Sequence, residues 1–158
     1  MLKFDTYNVV FQEVPGEVTL AINLSNCPNS CKGCHSKHLQ QDIGEELTDE
    51  LLQTMIEKYA QAITCVCFMG GDASPHEVNR LATIIKTNLS GRLKVAWYSG
   101  KDSLPLDFSV LPFNFIKLGS YIETYGGLTS EHTNQRFYEV QNGVLYDKTH
   151  LFSMLNGV

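Results

Sequence analysis

The densest run of reactive side chains is NCPNSCKGCHSKH, residues 26–38. Cys27, Cys31 and Cys34 fall within eight residues, spaced C-x3-C-x2-C. Three thiolates in one short loop can bind a soft metal or an iron–sulfur cluster. A structural zinc site normally closes on four protein ligands. It would need His35 or His38 as the fourth here, because no second cysteine knuckle occurs. The other two thiols, Cys65 and Cys67, alternate along the apolar run ITCVCFM. They face the same way and read as small buried residues, as free cysteine commonly does. A cubane cluster on three cysteines has one iron without a protein ligand, and that position is open to a small molecule.

Gly70-Gly71-Asp72 is the second candidate. Glycines allow close backbone approach and unusual φ angles. The acid can accept hydrogen bonds from an ammonium group. A helix starting near Ser74 would offer free N–H groups to a carboxylate. Together these suit an amino-acid zwitterion. The same residues also suit an ordinary strand-to-helix turn. Ser99-Gly100 and Lys117 stand at two further strand ends. Lys117 has three readings: partner of a ligand carboxylate, partner of an acidic surface, or a solvated lysine at a strand edge.

The elements that must position these groups alternate between strand and helix. Residues 18–24, 63–69 and 93–98 read as strands, and 113–122 contains a fourth. Residues 48–60 predict a helix capped by Thr48, with Asp49 and Glu50 at the positive end of its dipole. Its buried face is Leu51, Leu52, Met55, Ile56 and Tyr59. A second helix starts at Ser74, with Pro75 in its first turn and Glu77 completing a capping box. Val78, Leu81, Ala82, Ile85 and Leu89 form its apolar face, and Gly91 is its expected stop. RFYEVQNGVLYD predicts a hairpin around Asn142-Gly143. Trp97 and Tyr98 read as core. Near-continuous apolar strands separated by helices predict an α/β fold with a parallel sheet. Too few βα units are present to close an eight-stranded barrel, so an open sheet or partial barrel is expected. Ligands of such sheets sit at the carboxyl ends of the strands. The cysteine loop, Gly70–Asp72 and Ser99-Gly100 all follow strand ends, so three motifs should meet at one edge.

The 158 residues suit one domain, taken as 1–158. With 43% hydrophobic and 18% charged residues, the composition is globular. The formal charge of −5, from 12 basic and 17 acidic residues, and the lack of any basic run argue against nucleic acid or an acidic membrane as partner. No segment approaches the ~20 apolar residues of a membrane span. The start, MLKFDTYNVV, lacks the pattern of a signal peptide. A cytoplasmic location is expected, where clustered cysteines serve metals or catalysis rather than disulfides.

C-x3-C-x2-C after the first strand of an α/β domain, with Gly-Gly-Asp after the next, resembles the radical S-adenosylmethionine (SAM) superfamily. The resemblance implies a partial (β/α) barrel with a short C-terminal hairpin. It implies one [4Fe-4S] cluster on Cys27, Cys31 and Cys34, with SAM on the open iron. Gly70, Gly71 and Asp72 match the superfamily's usual Gly-Gly-Glu, which holds the methionyl amine; Asp72 is one methylene shorter. The residue before the third cysteine, usually bulky and near the adenine, is Gly33 here. His35 either supplies that flat surface or caps the loop. Ser99 would reach the ribose, and Lys117 the SAM carboxylate.

CPNSCKGC, GGD and the tail KLGSYIETYGGL followed by TNQRFYEV are together similar to the activating proteins of anaerobic ribonucleoside-triphosphate reductase. In the tail, Tyr121, Gly126, Gly127, Asn134, Gln135 and Arg136 carry the likeness without an assigned chemistry. The implied reaction is one-electron cleavage of SAM to methionine and a 5′-deoxyadenosyl radical. That radical takes hydrogen from a glycine of the reductase's glycyl-radical subunit. A donor such as flavodoxin would supply the electron. Other short members activate pyruvate formate-lyase or modify small heterocycles and peptides. Outside the superfamily, the alternative is a zinc-stabilised binding module without catalysis.

Overall fold

A computed structural model of the chain describes residues 1–29, 31, 33, 34, 36–89 and 92–156. Its frame is one eight-stranded sheet: β1 (Lys3–Val10), β2 (Thr19–Leu24), β3 (Glu45–Glu46), β4 (Cys65–Met69), β5 (Lys94–Tyr98), β6 (Phe115–Leu118), β7 (Arg136–Gln141) and β8 (Val144–Asp147). The spatial order is β3-β1-β2-β4-β5-β6-β7-β8. The central run β2-β4-β5-β6 is parallel, with Leu20 opposite Val66, Val66 opposite Val95, and Ala96 opposite Phe115. Antiparallel strands flank it: β1 and β3 on one side, β7 and β8 on the other.

The central strands are apolar on both faces because both faces are covered. One face carries Leu20, Ile22, Leu24, Val66, Phe68, Val95, Trp97, Ile116 and Leu118. Helices α1 (Asp49–Tyr59) and α2 (Pro75–Ile84) pack there through Leu52, Met55, Ile56, Val78, Leu81 and Ala82. Apart from the small Ala82, each such buried side chain contributes roughly 1.5–3 kcal/mol of transfer free energy. The opposite face is thinner. It carries Cys65, Cys67, Ala96, Tyr98, Phe115 and Phe137, covered by Val14 and by Phe152 of α3 (His150–Asn156). Phe137 stacks on Phe115 at a centroid distance of 5.4 Å, and Phe152 meets Phe137 edge-on at 5.0 Å.

Local chemistry sets the element ends. Thr48 accepts the Leu51 N–H at 3.1 Å and caps α1. Pro75 opens α2 as its first residue. The capping box expected at Ser74 and Glu77 does not form. The Ser74 side chain makes no cap hydrogen bond. Arg80 instead takes the Glu77 carboxylate through Nη2 and Nε at 2.6 and 3.0 Å, and reaches Asp49 at 2.8 and 3.1 Å. That network ties α2 to the start of α1. Past Ile84 the chain continues as a π-helical turn, Ile85–Leu89. Gly91 and the Leu89 side chain lie outside the described residues. Asn142 and Gly143, at φ 52° and 78°, make the tight turn between β7 and β8. Among the described residues no helix is long and apolar enough to cross a membrane.

Candidate iron–sulfur site

The four parallel strands end at one edge of the sheet, and the candidate motifs occupy the loops that leave them. The cysteine loop follows β2. Its base is fixed by the Asn26 N–H on the Gln41 carbonyl (2.9 Å) and the Cys27 N–H on the Leu39 carbonyl (2.8 Å). Asn26 takes a left-handed φ of 57° to enter the loop. Buried Ser25 holds the return segment through its hydroxyl on the Ile43 carbonyl at 2.6 Å.

Cys27, Cys31 and Cys34 are half-buried. The Cys34 N–H bonds the Cys31 carbonyl at 3.2 Å, closing a turn around Gly33. The Ser36 N–H points at Cys34 Sγ, 3.4 Å away. Such N–H donors stabilise the thiolate form and tune a sulfur-ligated centre. Burial pushes the Cys27 thiol up, with Asp72 and Cys31 adding to the rise and Asn29 opposing it. Binding to a cationic centre reverses that preference, because a coordinated thiol loses its proton. The loop's donor set therefore fits an iron–sulfur cluster. Among the described residues no three His, Cys, Asp or Glu side chains gather tightly enough to hold a single metal ion. His38, one of the two histidines considered for a zinc cage, turns to Asp5, with Nε2 3.2 Å from Oδ2. The other, His35, lies outside the described residues.

Asp72 is the junction of the edge. Its Oδ1 accepts the Ser99 hydroxyl at 2.5 Å. Its Oδ2 accepts Asn29 Nδ2 and the Gly100 N–H, both at 2.8 Å. Three loops thus meet on one carboxylate. A carboxylate has about four acceptor positions, so one remains, on Oδ1. Gly100 is a close neighbour as well: a Cβ there would stand 2.6 Å from Asn29 Nδ2.

The glycines before Asp72 serve packing. Gly71 has φ 93°, and a Cβ on it would lie 2.6 Å from Val78 Cγ2 and 3.0 Å from Leu24 Cδ1. The space a side chain would fill belongs to α2 and β2. Gly70 offers its carbonyl to Trp97 Nε1 at 2.7 Å and its N–H to the Tyr98 carbonyl at 2.9 Å. The start of α2 is largely self-satisfied: the Ser74 N–H bonds Gly71, the Glu77 and Val78 N–H groups bond Ser74, and Pro75 has no N–H to give.

Ser99 is 1% exposed, and its hydroxyl is spent on Asp72. Lys117 is buried, not solvated as one reading had it. Its Nζ donates to the Ser99 and Gly119 carbonyls at 2.9 and 3.0 Å. Cys65 and Cys67 are fully buried on the thin face, away from the loop thiols in sequence and burial. Burial pushes the Cys65 thiol up to about 12.

Two further participants are not named by the sequence reading. Asn29 looks like one more loop residue, yet it joins the cysteine loop to Asp72. Glu123 overlies Gly33: a Cβ on Gly33 would be 3.0 Å from Glu123 Oε2. Only the absence of a bulky residue at position 33 hinted that something else fills that space. In the tail, Asn134 Nδ2 reaches the Ser120 carbonyl (2.9 Å), and buried Gln135 lies over Gly119.

A family model described as "4Fe-4S single cluster domain" matches residues 14–104. The match covers more than half of the chain, from the covering loop through β2, the cysteine loop, Asp72 and Ser99. The chain belongs to the 4Fe-4S single cluster domain family. As a member it is an iron–sulfur cluster protein, and Cys27, Cys31 and Cys34 lie within the matched segment. No curated protein and no solved structure matches the chain.

Proposed function

We propose that this 4Fe-4S protein is a cytoplasmic radical SAM activase. The reading takes the sheet as the partial-barrel core of that superfamily and 1–158 as its one domain. Cys27, Cys31 and Cys34 hold the cluster. The observation that carries the proposal is the meeting of the cysteine loop and the Gly-Gly-Asp turn on one carboxylate, through Asn29 Nδ2 and Asp72 Oδ2 at 2.8 Å. A ligand held by both the cysteine-loop cluster and the Asp72 carboxylate would need those two loops side by side.

When bound, the reduced cluster supplies one electron for SAM cleavage, which starts hydrogen abstraction from the substrate. The protein's part is binding and orientation. Asp72 has one open acceptor position on Oδ1 for the methionyl ammonium. Ser99 and Gly100 fix the carboxylate's plane, so that position is set before the ligand arrives. Gly70 and Gly71 bring Asp72 to the strand end without a side chain in the way. Gly33 leaves room beside the loop that Glu123 now fills, so a nucleoside entering there meets residues 121–125.

The tail resemblance points to the glycyl-radical subunit of anaerobic ribonucleoside-triphosphate reductase as substrate, with a flavodoxin-like electron donor. The test is anaerobic incubation with that subunit, SAM and a reductant, read by electron paramagnetic resonance. A glycyl-radical signal that needs all four components supports the proposal. A signal with pyruvate formate-lyase and none with the reductase moves it to another activase. A colourless protein holding one zinc and cleaving no SAM ends it.

A further inference from the structure

Among the described residues Lys117 is the only charged side chain that is buried, at 9% exposure. It stands on β6, on the sheet face away from α1 and α2. Both of its hydrogen-bond acceptors, the Ser99 and Gly119 carbonyls, are neutral. A buried ammonium held only by carbonyls is costly unless negative charge lies close by.

That negative charge follows along a chain of hydrogen bonds. Lys117 Nζ donates to the Ser99 carbonyl, and Ser99 Oγ donates to Asp72 Oδ1. Asp72 Oδ2 accepts from Asn29, which sits between Cys27 and Cys31. Burial pulls the Lys117 ammonium down from its ordinary range. Asp72, Cys31, Cys67 and Cys27 pull it back, Asp72 most strongly. The hydrogen bonds thus lead from the cation to the acid and, through Asn29, to the loop between Cys27 and Cys31.

We propose that Lys117 is the counter-charge of the cluster site, a positioning residue that offsets Asp72 and the Cys27 and Cys31 thiolates and thereby raises the reduction potential of the cluster. The inference rests on the reading that the cysteine loop holds that cluster. Reduction adds one electron from an external low-potential donor and makes or breaks no bond in the protein. The added charge falls on a site already crowded with thiolates and a carboxylate. A fixed cation in a poorly solvated position favours the more negative state.

The test is a reductant titration of the anaerobically reconstituted full chain without SAM, followed by electron paramagnetic resonance of the reduced cluster. Lys117→Met should shift the one-electron equilibrium at least tenfold toward the oxidised form, a potential ~59 mV lower. Lys117→Arg, which keeps the charge, should stay within about threefold of the wild type. A Lys117→Met equilibrium within about threefold of the wild type overturns the proposal. Where Lys117→Met does not fold, Lys117→Gln, which removes the charge but keeps a donor for the Ser99 and Gly119 carbonyls, carries the same test: at least tenfold toward the oxidised form, with a shift within about threefold again overturning it. Failure of the underlying reading looks different. A wild type that loads no cluster, or a Cys31→Ala that loads one normally, removes the cysteine-loop assignment itself. A loaded wild type with an unmoved Lys117→Met potential removes only the role of Lys117.

Discussion

Asn29 Nδ2 donates to Asp72 Oδ2 at 2.8 Å, across 43 residues of sequence. This contact joins the cysteine loop after β2 to the turn after β4. Hydrogen bonds to charged groups contribute about 1.5–3 kcal/mol when buried, and this half-exposed one should fall near or below the bottom of that range. Asn29→Ala should therefore leave the fold intact and loosen the loop. The expected result is faster loss of iron to a chelator, by about threefold to tenfold, with an unchanged far-ultraviolet circular dichroism spectrum. Equal rates would show that the contact does not hold the loop.

Asp72→Ala should weaken SAM binding more than cluster loading. The SAM dissociation constant of the reconstituted protein, compared with its iron content, separates the two. An unchanged constant would remove Asp72 from the ligand site.

The two thiol classes should separate chemically. Cys65 and Cys67 are buried, and burial lifts the Cys65 thiol to about 12. The thiolate is the reactive form. Iodoacetamide at about pH 8 on the cluster-free native protein should label Cys27, Cys31 and Cys34 and spare Cys65 and Cys67 until the protein unfolds. Peptide mass spectrometry reads the result. Cys65→Ala and Cys67→Ala should cost about 1 kcal/mol each and leave iron content near that of the wild type; iron loss in either would place it in the site.

Gly71→Ala combines a φ of 93° with a 2.6 Å approach to Val78 Cγ2. Strain and overpacking together predict a loss of about 3 kcal/mol. Gly16→Ala is the control. Its φ is 80° with nothing within 4 Å, so only the backbone cost of about 1–2 kcal/mol applies. Urea unfolding of the two variants should rank them in that order.

Hydrogen bonds from Arg80 hold the Asp49 and Glu77 carboxyls below their usual range. A lowered folded-state value means the contribution is present above the unfolded value and fades as pH falls through the folded one. Arg80→Met should lower the melting temperature at neutral pH and narrow the gap to the wild type as pH drops below the ordinary carboxylate range. A gap constant down to acid pH would mean the ion pairs contribute nothing.

The sequence showed its periodic elements and hid its contacts. Strands 19–24, 65–69 and 94–98 and both long helices were legible because apolar spacing and end residues agreed. β1, KFDTYNVV, was missed: its mixed burial and its Asp, Thr and Asn residues give no clean alternation. The capping box at Ser74 failed because Arg80, invisible as a competitor in sequence, takes the Glu77 carboxylate. Among the site residues, the cysteines and Asp72 were visible by type and spacing. Asn29, the burial of Lys117 and Glu123 over Gly33 depend on which loops meet at the strand edge. No local pattern encodes that meeting.

The central claim is an open cluster position that SAM occupies beside Asp72. Its most direct test is SAM cleavage by the reconstituted, reduced protein, measured as 5′-deoxyadenosine and methionine. The account predicts both products in equal amounts from the wild type, and neither from Cys27→Ala, Cys31→Ala or Cys34→Ala. A wild type that carries about four irons per chain, is reduced, and yet cleaves no SAM would contradict it.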